Sequence, residues 1–200
     1  MISVYQLKPK FQQLLSPILL FLNKHKITAN QITISSVLLS VIIGVLFWYA
    51  DYSQWFFLSL PIGLLLRMAL NALDGMMARK FGQTSRLGEV LNEIGDIISD
   101  VIIFFPLLKF QPESLYLIVI FIILSIINEF AGVMGKTIGK ERRYDGPMGK
   151  SDRAVILGIY GLVAFFGVNI AGYSSYIFAL LILLLIVSTF TRLKKSLNEV

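Results

Sequence analysis

Long apolar stretches alternate with short polar links along this chain, and each stretch is close to the roughly 20 residues that a helix needs to cross the hydrocarbon core of a bilayer. Residues 32–50 carry no charge, and 55–73 carry only Arg67. Residues 88–108 hold Glu89, Glu93, Asp96 and Asp100 and then no further acid. Residues 114–134 contain Glu129 near their end, and 154–170 and 173–191 are uncharged. The pattern predicts six membrane-spanning helices. Ahead of them Val4, Leu7, Phe11, Leu14, Leu15 and Ile18 recur at helical spacing while Lys8, Lys10, Gln12 and Gln13 fill the other positions, which predicts an amphipathic helix lying in the interface. The first ten residues lack the apolar core and small-residue cleavage site of a secretory signal. Thr28, Ala29 and Asn30 form a polar turn, with Asn30 expected as the N-cap of the first span. The expected fold class is therefore all-α and polytopic, with residues 1–27 as a cytoplasmic arm and 28–195 as one six-span domain.

Composition agrees. The 200 residues are 56% hydrophobic and 15% charged, with a mean hydropathy of +0.76, whereas about a quarter of a soluble domain is charged. Cysteine is absent, which excludes a disulfide framework and thiolate chemistry. The net charge of +6 is confined to particular links: of the 18 basic residues all but Arg67 and Lys109 fall in the N-terminal arm, the second and fourth connections and the C-terminal tail. By the positive-inside rule both termini are then cytoplasmic. The charges point to lipid headgroups and phosphates, not to nucleic acid.

Ionisable side chains inside a membrane persist mainly where they pair, coordinate or meet water. Asn71 and Asp74 are three apart on one face of the second span, and Glu89, Asn92, Glu93, Asp96 and Asp100 recur at steps of three and four on the third. A short link forces these two helices to be antiparallel neighbours, so the sequence gathers oxygen ligands at one cytoplasmic end. So many carboxylates call for a cation, and oxygen donors favour Mg or Mn. Gly75 and Ala78 leave room beside Asp74 for a phosphate to approach the backbone, and Arg79 can fork onto its oxygens. Lys150, Asp152 and Arg153, at the cytoplasmic start of the fifth span, are candidates for a second phosphate contact.

The spacing is more specific than the composition. From Asn71 to Asp96 the chain reads N-A-L-D-G-M-M-A-R, eight residues, then G-E-V-L-N-E-I-G-D. This resembles the signature of the CDP-alcohol phosphotransferase (CDP-alcohol phosphatidyltransferase) family, D-x-x-D-G-x-x-A-R-x8-G-x3-D-x3-D, with Asp74, Gly75, Ala78, Arg79, Gly88 and Asp96 in register. The resemblance implies a bacterial inner-membrane enzyme of phospholipid synthesis, a homodimer, that moves a phosphatidyl group from CDP-diacylglycerol to an alcohol hydroxyl and releases CMP. It further implies a metal set drawn from Asn71, Asp74, Asn92 and Asp96 with Mg or Mn, Asp96 as catalytic base, and a substrate site of Gly75, Ala78, Arg79, Gly88, Lys150 and Arg153. Two family aspartates fall on Asn71 and Asn92, where an amide still ligates a hard cation but carries no charge. Glu93, beside Asn92, is the expected substitute ligand.

Other readings compete with these. Arg67 is expected to pair with Glu129 inside the membrane, and Arg142 and Arg143 to be solvated loop charges. The carboxylates could instead serve an ion or proton transporter, or the asparagines could leave a nucleotide-lipid binder without turnover.

Overall fold

A computed structural model describes residues 8–198. Val4 and Leu7 of the N-terminal stripe lie outside the described residues. The elements are α1 (Lys8–Lys24), α2 (Ala29–Trp48), α3 (Ser59–Lys80), α4 (Arg86–Phe104), the single turn α5 (Leu107–Phe110), α6 (Leu115–Ile138), α7 (Lys150–Phe165) and α8 (Ala171–Leu197), with 3-10 turns at Gln54–Leu58 and Pro112–Ser114. No strand occurs among the described residues, as the all-α expectation requires. The cap of α2 differs from that expectation. Thr28, not Asn30, is the N-cap: its side chain accepts from the Gln31 amide at 3.3 Å while Gln31 Oε1 accepts from the Thr28 amide at 2.8 Å. This reciprocal capping box satisfies two donors at once, which Asn30 two residues further on cannot do.

Four segments, Ala29–Trp48, Gln54–Lys80, Pro112–Ile138 and Ala171–Leu197, are long and apolar enough to cross a membrane. Their outward faces carry Leu38, Ile42, Leu65, Ile123, Leu180 and Leu183, each between 50% and 59% exposed. An apolar belt of that extent is stable only against lipid. The other three helices longer than a few turns are α1, with 17 residues, α4, which carries four acids, and α7, which has 16 residues.

Helices α3 and α4 each pack on α2 with little direct contact between them, α7 lies on α3, and α8 lies along α6. Small residues set some of these approaches. A Cβ on Gly44 would stand 2.7 Å from Ile102 on α4, and one on Gly161 2.7 Å from Leu60 on α3. One core joins Ile43, Phe47, Leu60, Ile103, Phe104, Phe121, Leu157, Phe178 and Leu185. A smaller one seats Leu15 and Leu19 of α1 on Ala29, Ile32, Leu73 and Met77. The expected stripe on α1 is thus divided: Leu15 is buried in protein, whereas Leu14 and Ile18 remain exposed. At the end of the bundle away from the basic loops, Lys109 donates to Asp51 at 2.7 Å and to the Trp48 carbonyl at 2.8 Å. That bond and the adjacent ammonium hold the Asp51 carboxyl below its ordinary range.

Candidate active site

The site forms where α3 and α4 turn back on one another. Residues 81–85 make the turn, with Gly82 at φ +65°, a left-handed conformation that glycine adopts without penalty. Ser85 caps α4, its hydroxyl accepting from the Gly88 amide at 3.0 Å. Gln83 ties the turn to α2 by accepting the Ala29 amide at 2.8 Å. Gly88 has to be small, because a Cβ there would stand 2.7 Å from the Asn30 side-chain oxygen.

Asn71, Asp74, Gly75, Ala78 and Arg79 from α3, Gly88, Glu89, Asn92 and Asp96 from α4, Asn30 and Thr33 from α2 and Lys150 from α7 line one open cleft, whose empty volume is about 1260 Å³ with its mouth included. A Cβ added to Gly75 would meet only the end of the Arg79 side chain, at 3.2 Å. The surface beside Asp74 is therefore open to a ligand, as the small residues at 75 and 78 led us to expect.

Three helices orient the polar groups. Thr33 and Ser36, three apart on α2, face Asp74 and Asn71, three apart on the antiparallel α3. Thr33 donates to Asp74 Oδ2 at 2.8 Å and Ser36 to Asn71 Oδ1 at 2.6 Å. The other end of the Asn71 amide donates to Asp96 Oδ1 at 3.1 Å, which also accepts from Arg67 at 3.3 Å. The Lys150 ammonium sits on Asp96 Oδ2. Asp74 and Asp96 are 6% and 5% exposed, so their carboxylates rely on these donors for the hydrogen bonds that water would otherwise provide.

Behind the cleft lies a second charged layer. Asp100 accepts from Arg67 at 3.1 Å and from Arg153 at 2.7 Å. Glu129 accepts from Arg153 and Arg142, both at 2.9 Å, with Arg192 at 3.8 Å. Arg142 also reaches Glu93 at 2.8 Å. Burial alone would lower the Arg142 guanidinium, but Tyr144, Glu129 and Glu93 together hold it above its ordinary value.

This arrangement corrects four sequence expectations. Arg67 pairs with Asp96 and Asp100, not Glu129, because Glu129 is taken by arginines from the 139–149 loop, α7 and α8. Arg142 is a structural cation, not a solvated one, and stacks on Tyr144 at 4.5 Å. Arg153, expected at a phosphate, is 2% exposed, and its guanidinium is spent on Asp100, Glu129 and the Met148 carbonyl. Glu93, expected as a replacement ligand, does not line the cleft and faces Arg142. The polar stripe of α4 spans more than one face: Glu89, Asn92 and Asp96 look into the cleft, while Glu93 and Asp100 look toward α6, α7 and the loop between them. Thr33 and Ser36 were not anticipated as site residues, although Thr33, Ser36 and Ser40, at steps of three and four, form a polar stripe on an otherwise apolar span.

The donors facing the cleft fit one divalent cation. Mg is held by one or two carboxylates completed by phosphate oxygens and water, and Asp74 with the Asn92 amide supplies that much. They do not fit two. Among the described residues no group of three or more His, Cys, Asp or Glu side chains is placed to hold an ion, and an ammonium and an amide NH2 already face Asp96.

The family profile described as CDP-alcohol phosphatidyltransferase matches residues 26–191. The chain is 47% identical to the inner membrane protein YnbA of Escherichia coli strain K12 over 160 residues, covering 80% of this chain and 79% of that protein. The fold is similar to that of the Mycobacterium tuberculosis phosphatidylinositol phosphate synthase with CDP-DAG bound, with a TM-score of 0.75 at 23% identity over 92% of this chain and 94% of that one. It is also similar to the same synthase in complex with manganese and citrate, with a TM-score of 0.73 at 24% identity over 90% and 87% of the two chains.

Proposed function

Since this chain belongs to the CDP-alcohol phosphatidyltransferase family, a family of membrane enzymes, we propose that it transfers the phosphatidyl group of CDP-diacylglycerol to an alcohol hydroxyl and releases CMP. The observation that carries this reading is the single cleft in which Asp74, Gly75, Ala78, Arg79, Gly88 and Asp96 converge with Asn71, Asn92 and Lys150. The open surface at Gly75 admits the donor diphosphate, and Arg79 and Lys150 bind its oxygens by charge-assisted hydrogen bonds. Asp74, steadied by Thr33, is the principal ligand for Mg or Mn. A bound ion there supplies charge neutralisation at the diphosphate.

Asp96 is the base. Each carboxylate oxygen offers two acceptor positions; Arg67 and Asn71 occupy both on Oδ1, while Lys150 leaves one on Oδ2. The acceptor hydroxyl gives its proton to Oδ2 as its oxygen forms a bond to the phosphatidyl phosphorus, and the bond from that phosphorus to the CMP oxygen breaks. The donor's lipid tails reach the bilayer while its head occupies the cleft. Six spans, both termini cytoplasmic, an inner-membrane location and a homodimer belong to the same reading. It is supported by the basic groups Lys136, Arg142, Lys150, Arg192 and Lys195, which gather at the cleft end, with Asp51 and Lys109 at the other. The test is CMP release from CDP-diacylglycerol by the purified protein with Mg or Mn, across a panel of acceptor alcohols. Absence of CMP with every acceptor would refute turnover.

A further inference from the structure

We infer that the site holds one divalent cation only, and that the Lys150 ammonium, seated on Asp96, is a built-in positive charge in the place of a second. This deepens the transferase reading and rests on it for what the cleft binds. The residues themselves carry the argument. A second ion beside Asp96 would have to sit against the Lys150 ammonium on Oδ2 and opposite the Asn71 NH2, because Asn71 turns its carbonyl away to accept from Ser36 at 2.6 Å. Asn71 turns its NH2 to Asp96 at 3.1 Å. An aspartate at 71 would set two carboxylates against each other across that gap, tolerable with a cation between them or a proton shared by them. An amide at 71 closes the gap with a hydrogen bond and needs neither.

Charge balance runs the same way. The buried anions facing the cleft are Asp74 and Asp96, while Glu89 is half exposed and bonded to Lys136. One divalent ion neutralises the pair, and Lys150 already adds a further positive charge. A second ion would leave an excess of cations around Asp96, where a dication and the Lys150 ammonium on the same carboxylate repel one another at close range.

Lys150 is also held where it is. It opens α7, whose start is pinned by Asp152 accepting the Gly149 amide at 3.1 Å and, one turn in, by Arg153 buried on Asp100 and Glu129. An ammonium has three N–H donors. It can keep Asp96 while it binds a phosphate oxygen, which is the bridging role of a cation without its dependence on free metal.

The experiment is a Mn titration of the purified full chain in detergent micelles without donor, with free Mn read by electron paramagnetic resonance. Wild type is expected to bind one Mn per chain, Lys150→Arg one, and Lys150→Gln, with Oδ2 released, two. Two ions or none in wild type, or an unchanged count in Lys150→Gln, would overturn the inference. The wild-type count decides even if the glutamine variant does not fold. One Mn per chain together with no CMP release would remove the transferase reading and leave the count standing.

Discussion

Replacing Glu129 by Gln should be among the most destabilising single-atom changes available in this protein. Glu129 is 3% exposed and is the one carboxylate shared by Arg142, Arg153 and Arg192, at 2.9, 2.9 and 3.8 Å. At an effective dielectric constant of about 20, a contact at 2.9 Å is worth roughly 6 kcal/mol of gross attraction. Desolvation of the ions offsets much of it, so the quantity to use is the measured cost of removing one partner from a buried pair, about 3–5 kcal/mol. Gln preserves shape but leaves three guanidinium groups facing one another. For a chain of this size each kcal/mol moves the melting temperature by about 2–4 °C, so the expected loss is about 6–20 °C. Detergent-solubilised membrane proteins unfold irreversibly in most cases, so the assay is the temperature at which the monodisperse gel-filtration peak is lost after heating at a fixed rate. Glu89→Gln is the control: its bond to Lys136 joins side chains about half exposed, where an ion pair contributes at most about 1 kcal/mol. A Glu129→Gln variant that melts within about 2 °C of wild type would refute the view that this layer holds the helices together.

Asp96→Asn should lower CMP release by about 100- to 10,000-fold, the usual range for a general base, with donor affinity largely kept; near-normal turnover would move the base elsewhere. Asp74→Asn should weaken donor binding as well as turnover, and excess chelator on wild type should abolish both until Mg or Mn is restored; full activity in chelator would exclude a role for the ion. Reporter fusions after Asp51, Glu113 and Asn169 should score as periplasmic and those after Thr84 and Asp145 as cytoplasmic, and a cytoplasmic signal at Glu113 would break the six-span topology. Gly146→Ala should destabilise the 139–149 loop by more than about 1 kcal/mol, because residue 146 has φ +88° and a Cβ would stand 2.7 Å from the Ser188 backbone; an unchanged melting curve would show that the loop can move away.

Much of the architecture is written in one dimension. Apolar runs of bilayer length become helices wherever they sit, since a backbone in lipid has to satisfy its own hydrogen bonds. Basic residues confined to alternate links are likewise a local property of the chain. The meeting of the motif segments from Asn71 to Asp96 also follows from sequence, because a five-residue turn keeps those ends of α3 and α4 together; the expected direct packing of the two helices is not found, since each packs on α2 and they meet through side chains such as Asn71 and Asp96. This is why Asp74, Gly75, Ala78, Arg79, Gly88, Asn92 and Asp96 meet in one cleft as expected.

What tertiary structure alone decided is which cation each anion receives. Glu93 and Asp96 are one turn apart and look equivalent along the chain, yet one faces Arg142 and the other the cleft. The difference depends on the rotation of α4 against α2 and α3, set by close contacts such as Gly44 on Ile102. Arg67, Arg142, Arg153 and Arg192 come from three helices and a loop, and no periodicity relates them. A buried charge pays a desolvation cost that only its actual neighbours can offset, so partners far apart in sequence are chosen by packing. The sequence therefore determined that carboxylates and a basic cluster would share one end of the bundle, and packing determined that Arg153 braces it while Lys150 reaches into the cleft.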